Sequence, residues 1–185
     1  MISKQALEQQ ATLFTPRLKL EQLGEKHFAD TIKGINNPES SRLTGTLEVF
    51  TPKRIQTWLT GLPGRDDRAD WAIIRLSDNA FLGEVVLNDL DEHNQSMNFR
   101  IALWSLDALN RGYGTEVTRA VIDYGLDVVG LHRISLSVFA FNPRAKRVYE
   151  KCGFVQEGVA RDALFWDGVW IDSIYMALLS SDPRV

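Results

Sequence analysis

The stretch LNRGYGTEV, residues 109–117, places Gly112 and Gly114 one residue apart, just ahead of a run with helical periodicity. Such a turn can hold a phosphate. Glycine has no Cβ, so its amide approaches a bulky anion closely. The first amides of a helix lack intrahelical acceptors and sit at the positive end of its dipole, which together make an anion site. Arg111 adds a fixed positive charge. The same residues also fit a tight strand-to-helix corner that binds nothing. Two common nucleotide chemistries do not fit. A P-loop needs Gly-Lys followed by Ser or Thr, and the chain has no such run. A dinucleotide fingerprint needs a third glycine where Val117 stands, and needs the turn to follow the first strand of a βαβ unit.

A second chemistry-bearing stretch is NPRAKRVYEKCGF, residues 142–154. Asn142 before Pro143 makes a good helix N-cap. Ala145, Val148, Tyr149 and Cys152 then share one side of the helix, which ends at Gly153. Tyr149 fits a core residue with its hydroxyl at the edge. Cys152 has no His or Asp partner placed by sequence, so it is a poor nucleophile candidate. His27, His93 and His132 are scattered without metal-ligand spacing, and no metal is expected. Phe165, Trp166 and Trp170 could line a pocket or pack a hairpin around Asp167-Gly168, a good turn dipeptide.

These residues need a scaffold. The chain has 185 residues, 44% hydrophobic and 24% charged, enough for one compact domain with a sizeable core. A net charge of −3 argues against a nucleic-acid surface. One cysteine excludes an internal disulfide and a Cys-rich zinc site, and fits a reducing compartment. No apolar run approaches the roughly 18 residues of a membrane span. The first ten residues, MISKQALEQQ, lack the apolar core of a secretory signal. The expected location is therefore the cytoplasm, without a membrane partner.

TPRLKLEQL alternates as a strand. GEKHFADTIKGINNP reads as a short helix stopped at Asn36-Asn37-Pro38. TPKRIQTWLTGLPG offers Thr51 as N-cap and Pro52 at the first helical position. WAIIRL, AFLGEVVLNDL and SMNFRIALW read as an antiparallel meander. From Gly114, the residues Val117, Ala120, Val121, Tyr124 and Val128 recur at helical spacing up to Gly130. HRISLSVFAF is a strand, the Asn142 helix follows, and FVQEGVARDALF and VWIDSIYMALL are final strands. The order β-α-α-β-β-β-α-β-α-β-β implies an α+β or mixed α/β domain on one sheet.

A strand ending in IALW, then NRGYGTE opening a helix, a further strand, and NPRAKRVYEKCGF resembles the Gcn5-related N-acetyltransferase superfamily. The nearer likeness is to its ribosomal-protein N-terminal and spermidine acetyltransferases, from TPRLKL to IYMALL. The resemblance implies a single domain over residues 1–185, with its core at about 14–180. Its fold would be a largely antiparallel twisted sheet flanked by helices, with strands splayed at an acetyl-CoA site. It implies that the turn Leu109, Asn110, Arg111, Gly112, Tyr113, Gly114 and Thr115 cradles the pyrophosphate. The family's basic or amide position falls on Leu109, a departure that leaves the backbone amides untouched. It implies that the Ile101 and Leu103 amides bind the pantetheine arm and thioester, that Asn142 contacts the cofactor, and that Tyr149 protonates the coenzyme A sulfur. Arg144, Lys146 and Arg147 would meet the adenosine 3′-phosphate or form a solvated helix face.

Acetyl transfer needs a neutral amine and a donor for the thioester oxygen. A lysine-like amine with pKa about 10.4 is neutral only about once in two thousand at pH 7, whereas an α-amine near 8 faces about a tenfold deficit. Asn98 stands where relatives often carry a glutamate. Glu84, which interrupts the apolar run FLGEVVL, is therefore the first candidate for the base; Asp89, Asp91 and Glu92 read as loop residues. The expected activity is acetyl-CoA-dependent transfer to a primary amine by direct attack in a ternary complex. The acceptor would be a small molecule or peptide: a protein N-terminus, an amino-acid-like amine or a polyamine. A homodimer is in keeping with the family. The alternative is a non-catalytic acetyl-CoA-binding or sensor domain.

Overall fold

The computed structural model describes residues 2–104 and 108–184. In chain order the elements are α1 (Lys4–Gln9), β1 (Leu13–Phe14), β2 (Leu18–Gln22), a 3₁₀ turn (Glu25–His27) running into α2 (Phe28–Gly34), α3 (Pro38–Thr44) and α4 (Pro52–Thr60). The meander β3 (Ala69–Arg75), β4 (Phe81–Asp91) and β5 (Ser96–Leu103) follows. Then come α5 (Tyr113–Asp123) with a π-helical extension (Tyr124–Val129), β6 (Arg133–Phe139), α6 (Pro143–Lys151), β7 (Val155–Trp166) and β8 (Val169–Leu179).

One eight-stranded sheet runs in the order β1-β2-β3-β4-β5-β6-β8-β7. Every pairing is antiparallel except β5–β6. The central strands β3 and β4 are buried on both faces, which explains their near-continuous apolar runs. On one face Trp71, Ile73, Val85, Leu87 and Phe99 pack with Val117 and Val121 of α5 and Tyr149 of α6. On the other, Ala72 and Ile74 pack with Ile55 and Leu59 of α4. The alternation of the strands thus sends neighbouring residues into two separate cores.

Four expectations need correction. The first ten residues contain α1, capped by the Ser3 side chain and held by the Tyr124 hydroxyl, which donates to the Ala6 carbonyl at 2.6 Å. A two-residue β1 precedes β2. Asn37-Pro38 both stops one helix and starts another: Asn37 Oδ1 accepts from the Glu39 and Ser40 amides, Pro38 occupies the first helical turn, and Gly45 ends α3. Finally, Val128 is 51% exposed while Val129 is fully buried. The π-helical turn advances the register by one residue, so a 3.6-residue periodicity picks the wrong valine.

The π-helical segment also presses Gly125 onto the sheet. A Cβ there would sit 2.9 Å from Ile134 Cδ1 and 3.3 Å from Leu87 Cδ1, both in the core. Gly125→Ala should therefore destabilise the fold by about 1–3 kcal/mol despite alanine's helix propensity. A denaturant midpoint equal to or above that of the parent would contradict this packing.

Candidate active site

The parallel pairing of β5 with β6 covers only Ser96–Arg133, Met97–Ile134 and Asn98–Ser135. Beyond Asn98 the two strands part, although both continue, to Leu103 and Phe139. The gap opens into a cavity of about 500 Å³ between β5, β6, the 109–115 turn and α6. The direction of the free β5 backbone follows from its neighbours. Trp104 N–H donates to the Leu82 carbonyl of β4. The Ala102 carbonyl also points at β4, only 2.0 Å from where a Gly83 Cβ would be. The Leu103 carbonyl points the opposite way, accepting from Ser40 Oγ of α3 at 3.5 Å. Backbone groups alternate along a strand. The Ile101 and Leu103 amides therefore face the gap.

At one end of the gap, Asn110 (φ 61°) and Gly112 (φ 81°) take left-handed conformations and turn the chain into α5. The first intrahelical bond joins the Glu116 amide to the Gly112 carbonyl at 3.1 Å. The Tyr113, Gly114 and Thr115 amides precede it, and among the described residues no side chain caps them. The two glycines differ in why they are glycines. Gly112 needs its positive φ. Gly114 has an ordinary helical backbone, and a Cβ there would lie in normal contact with Val148 at 3.9 Å. Neither conformation nor packing within the protein requires its missing side chain.

The turn is held from outside by a residue the sequence did not single out. Arg17 Nε donates to Glu116 Oε2 at 2.8 Å, its Nη1 donates to the Arg111 carbonyl at 2.9 Å, and its guanidinium lies 4.5 Å from the centroid of the Tyr113 ring. Arg111 and Tyr113 consequently do not line the cavity: Tyr113 is buried in the core, and Arg111 is exposed. Leu109, Asn110, Gly112, Gly114 and Thr115 do line it.

On the opposite wall, Asn142 caps α6, its Oδ1 accepting from the Ala145 amide at 3.1 Å, and it also lines the cavity. Lys146 turns away and pairs with Glu150. The cations lining the cavity are instead Arg100, Arg144, Arg147 and Lys151. Tyr149 is 7% exposed, edge-on to Phe99 at 6.1 Å and to Phe154 at 5.9 Å, and lines the cavity. Burial, reinforced by nearby Cys152, pushes its phenol well above the ordinary value, so it stays protonated. Cys152 is no nucleophile: its thiol donates to the Thr115 carbonyl at 3.8 Å, and burial pushes it up to about 11. Phe165 and Trp170 form an exposed cross-strand pair 4.9 Å apart on the β7–β8 hairpin, away from this cavity. Among the described residues, no group of three His, Cys, Asp or Glu side chains comes together as a metal site.

Glu84 lies on the other face of the sheet, opposite Ala102 of β5. It is 6% exposed, with Oε1 3.3 Å from Arg100 Nη2, while Oε2 is buried without a partner among the described residues. Burial pushes its carboxyl up to about 7, against the opposing pull of Arg100. It borders a second cavity of about 350 Å³ beneath α3 and α4. The two cavities share Ser40, Thr44, Arg100 and Ala102, so they meet at β5. The acid and base candidates thus approach that strand from opposite faces.

A family model described as an acetyltransferase (GNAT) domain matches residues 17–155. The chain belongs to the GNAT acetyltransferase family. A probable N-acetyltransferase of Bacillus subtilis is 33% identical over 122 residues, 65% of this chain and 66% of that protein. A spermidine N(1)-acetyltransferase of Vibrio cholerae is 31% identical over 100 residues, 54% of this chain and 57% of that one. The aligned stretches thus span just under two thirds, or less, of these relatives' own lengths. In three dimensions, the crystal structure of spermidine N-acetyltransferase from Vibrio cholerae in complex with CoA and spermine superposes with a TM-score of 0.84. It covers 90% of this chain and 98% of that chain at 22% identity, and so confirms the GNAT fold.

In this GNAT chain the sequence pointed to the cavity between β5 and α6, but not to Arg17, Ser40, Thr44 or Arg100. The Asn37-Pro38 cap and Gly45 were the available signal for α3, and hence for Ser40 and Thr44. Glu84 is harder to ionise in the fold, at about 7, than at the ordinary 4.5 of an unfolded chain. Its contribution to stability is therefore complete below the lower value and lost as pH rises through the higher one. Glu84→Gln should be about 1–3 kcal/mol more stable than the parent at pH 8 and nearly equal at pH 5. A difference independent of pH, followed by thermal melting, would contradict the burial of an ionisable group here.

Proposed function

We propose that this protein is an acetyl-CoA-dependent N-acetyltransferase that passes the acetyl group directly to a primary amine in a ternary complex. The observation that carries this reading is the break in β5–β6 pairing, which leaves strand amides facing a cavity that ends at Gly114. The residues fit the co-substrate at each point. The α5 amides from Tyr113 to Thr115 and the space left at Gly114 suit a pyrophosphate. Arg144, Arg147 and Lys151, rather than Lys146, suit the remaining phosphate. The Ile101 and Leu103 amides suit the pantetheine arm and the thioester carbonyl. Asn142 joins them at the cavity wall.

The chemistry is then divided between the faces of the sheet. Glu84 accepts the ammonium proton of the acceptor, directly or through water, and so supplies a neutral nitrogen. That nitrogen attacks the thioester carbon, forming C–N as C–S breaks. The β5 amides donate to the carbonyl oxygen as it gains negative charge. Tyr149, still a phenol, donates a hydrogen bond to the departing sulfur. Protonation of the sulfur need not precede C–S cleavage, because a thiolate with an ordinary pKa of about 8.5 is already a tolerable leaving group. The second proton of the attacking nitrogen then passes through water to that thiolate, giving the neutral amide and the free thiol. Glu84 works only as a carboxylate, so activity rises as pH passes through about 7.

The reading is tested by mixing the protein with acetyl-CoA and a panel of peptide, amino-acid and polyamine amines and following free thiol. At least one acceptor should give turnover, with an inflection near pH 7 that Glu84→Gln removes. Tyr149→Phe should lower kcat with acetyl-CoA affinity held. Gly114→Val should weaken acetyl-CoA binding about tenfold or more while leaving the denaturation midpoint close to the parent's. Thiol release at background with every amine would sink the proposal.

A further inference from the structure

The cavity on the Glu84 side is distinguished by its charges. Among its described lining residues, Glu84 is the single carboxylate, against Arg54, Arg68 and Arg100. The three guanidiniums are not equally free. Arg68 is held by both oxygens of buried Asp70, at 2.6 Å each. Arg54 pairs with Glu48 and lies over the Phe50 ring. Arg100 has a side chain 48% exposed and, among the described residues, one ion-pair contact, Nη2 to Glu84 Oε1 at 3.3 Å, so about half of its side chain remains accessible to a ligand. It also lines both cavities, one residue before Ile101 on the strand where the proposed transfer takes place. The remaining walls combine apolar side chains, Ile55, Trp58 and Trp104 among them, with the uncharged polar residues Ser40, Thr44, Thr46 and Asn88.

This is a poor receptacle for a polycation. The first ammonium of such an acceptor can approach Glu84, but further ammonium groups on the same chain must then lie among guanidiniums, because the neighbouring carboxylates Asp70 and Glu48 are already paired with Arg68 and Arg54. A carboxylate on the acceptor has the opposite fate. The planar fork of arginine matches it in two parallel charge-assisted hydrogen bonds. Arg100 would hold the anion while Glu84, its neighbour, faces the amine. The Ile55, Trp58 and Trp104 side chains would strengthen both interactions by lowering the local dielectric.

We propose that the acceptor is an amine bearing a carboxylate close to its nitrogen, recognised by Arg100, and that polyamines are poor acceptors. The chemistry is shared by a free amino acid, whose own carboxylate serves, and by a peptide that begins with an acidic residue. The inference rests on the acetyl-transfer reading of the same site. It separates this chain from the relative named as a spermidine acetyltransferase.

The test compares matched acceptors by thiol release from acetyl-CoA: glutamate against glutamine amide, a peptide beginning Glu-Ala against one beginning Gln-Ala, and spermidine. The parent should favour the acidic member of at least one pair in kcat/KM by roughly tenfold or more, the size expected of a hydrogen bond to a charged group. Preference within the amino-acid pair assigns the carboxylate to a free acid, and preference within the peptide pair assigns it to a first side chain. Arg100→Gln should collapse the ratio within the pair, whatever it does to the absolute rates through Glu84, and Arg100→Lys should keep part of it. The proposal is overturned if spermidine or the neutral members react as well as the acidic ones, or if Arg100→Gln slows both members equally. Those outcomes leave the transferase reading standing. Silence with every acceptor, by contrast, removes both.

Discussion

The site depends on a hydrogen-bonded ladder that stops early. β5 and β6 run parallel for three residue pairs, then separate while each remains an extended strand. A strand pair buried in the middle of a sheet ordinarily uses every backbone group. Here the outward groups of β5 beyond Asn98 have no strand partner among the described residues. The Leu103 carbonyl is met by Ser40 of α3, and the amides of Ile101 and Leu103 are left facing a cavity. The remaining features are arranged around this opening. α5 starts at one end, α6 forms one wall, and the second cavity joins it across Arg100 and Ala102.

Two buried ionisable groups serve opposite ends of the proposed chemistry, and burial acts in the same direction on both. Removing a carboxyl and a phenol from water favours the neutral form of each. For Tyr149 that outcome preserves a donor. For Glu84 it moves proton affinity into the range where a base is useful near neutrality, at about 7. Arg100 moderates this shift and leaves Glu84 available rather than permanently protonated. The turn between them must hold its shape without a ligand. Arg17 does this by bonding to the Arg111 carbonyl, to Glu116 and over Tyr113, linking the start of α5 to the strand beside β1.

The parts of the fold legible in the sequence are those with a strong local signal. The meander announced itself by three apolar runs between turn residues. α6 did so by Asn142-Pro143 and Gly153, and the β7–β8 hairpin by Asp167-Gly168, both of which have positive φ. The fold class followed from the order of these elements. α1 and α3 were missed because six or seven residues give too little periodicity, and their caps were the only evidence. Val128 was misplaced because a π-helical turn changes the period within one run. In the site, Gly112 and Gly114 stood out, but their different reasons did not, since only coordinates show that one has positive φ and the other has room for a Cβ. Lys146 and its neighbours Arg144 and Arg147 look alike in the chain, and only side-chain direction separates the residue paired to Glu150 from those at the cavity. Arg100 was unreadable because its meaning comes from Glu84, sixteen residues away on the next strand.

The central claim is that the unpaired stretch of β5 is the seat of the acyl thioester. Residue-resolved amide hydrogen exchange, with and without saturating acetyl-CoA, addresses it directly. Ile101 and Leu103 should gain strong protection, while Arg100 and Ala102, whose amides already face β4, should change little. Saturating acetyl-CoA that leaves the Ile101 and Leu103 amides exchanging as before, or that protects the two sets alike, would contradict the account.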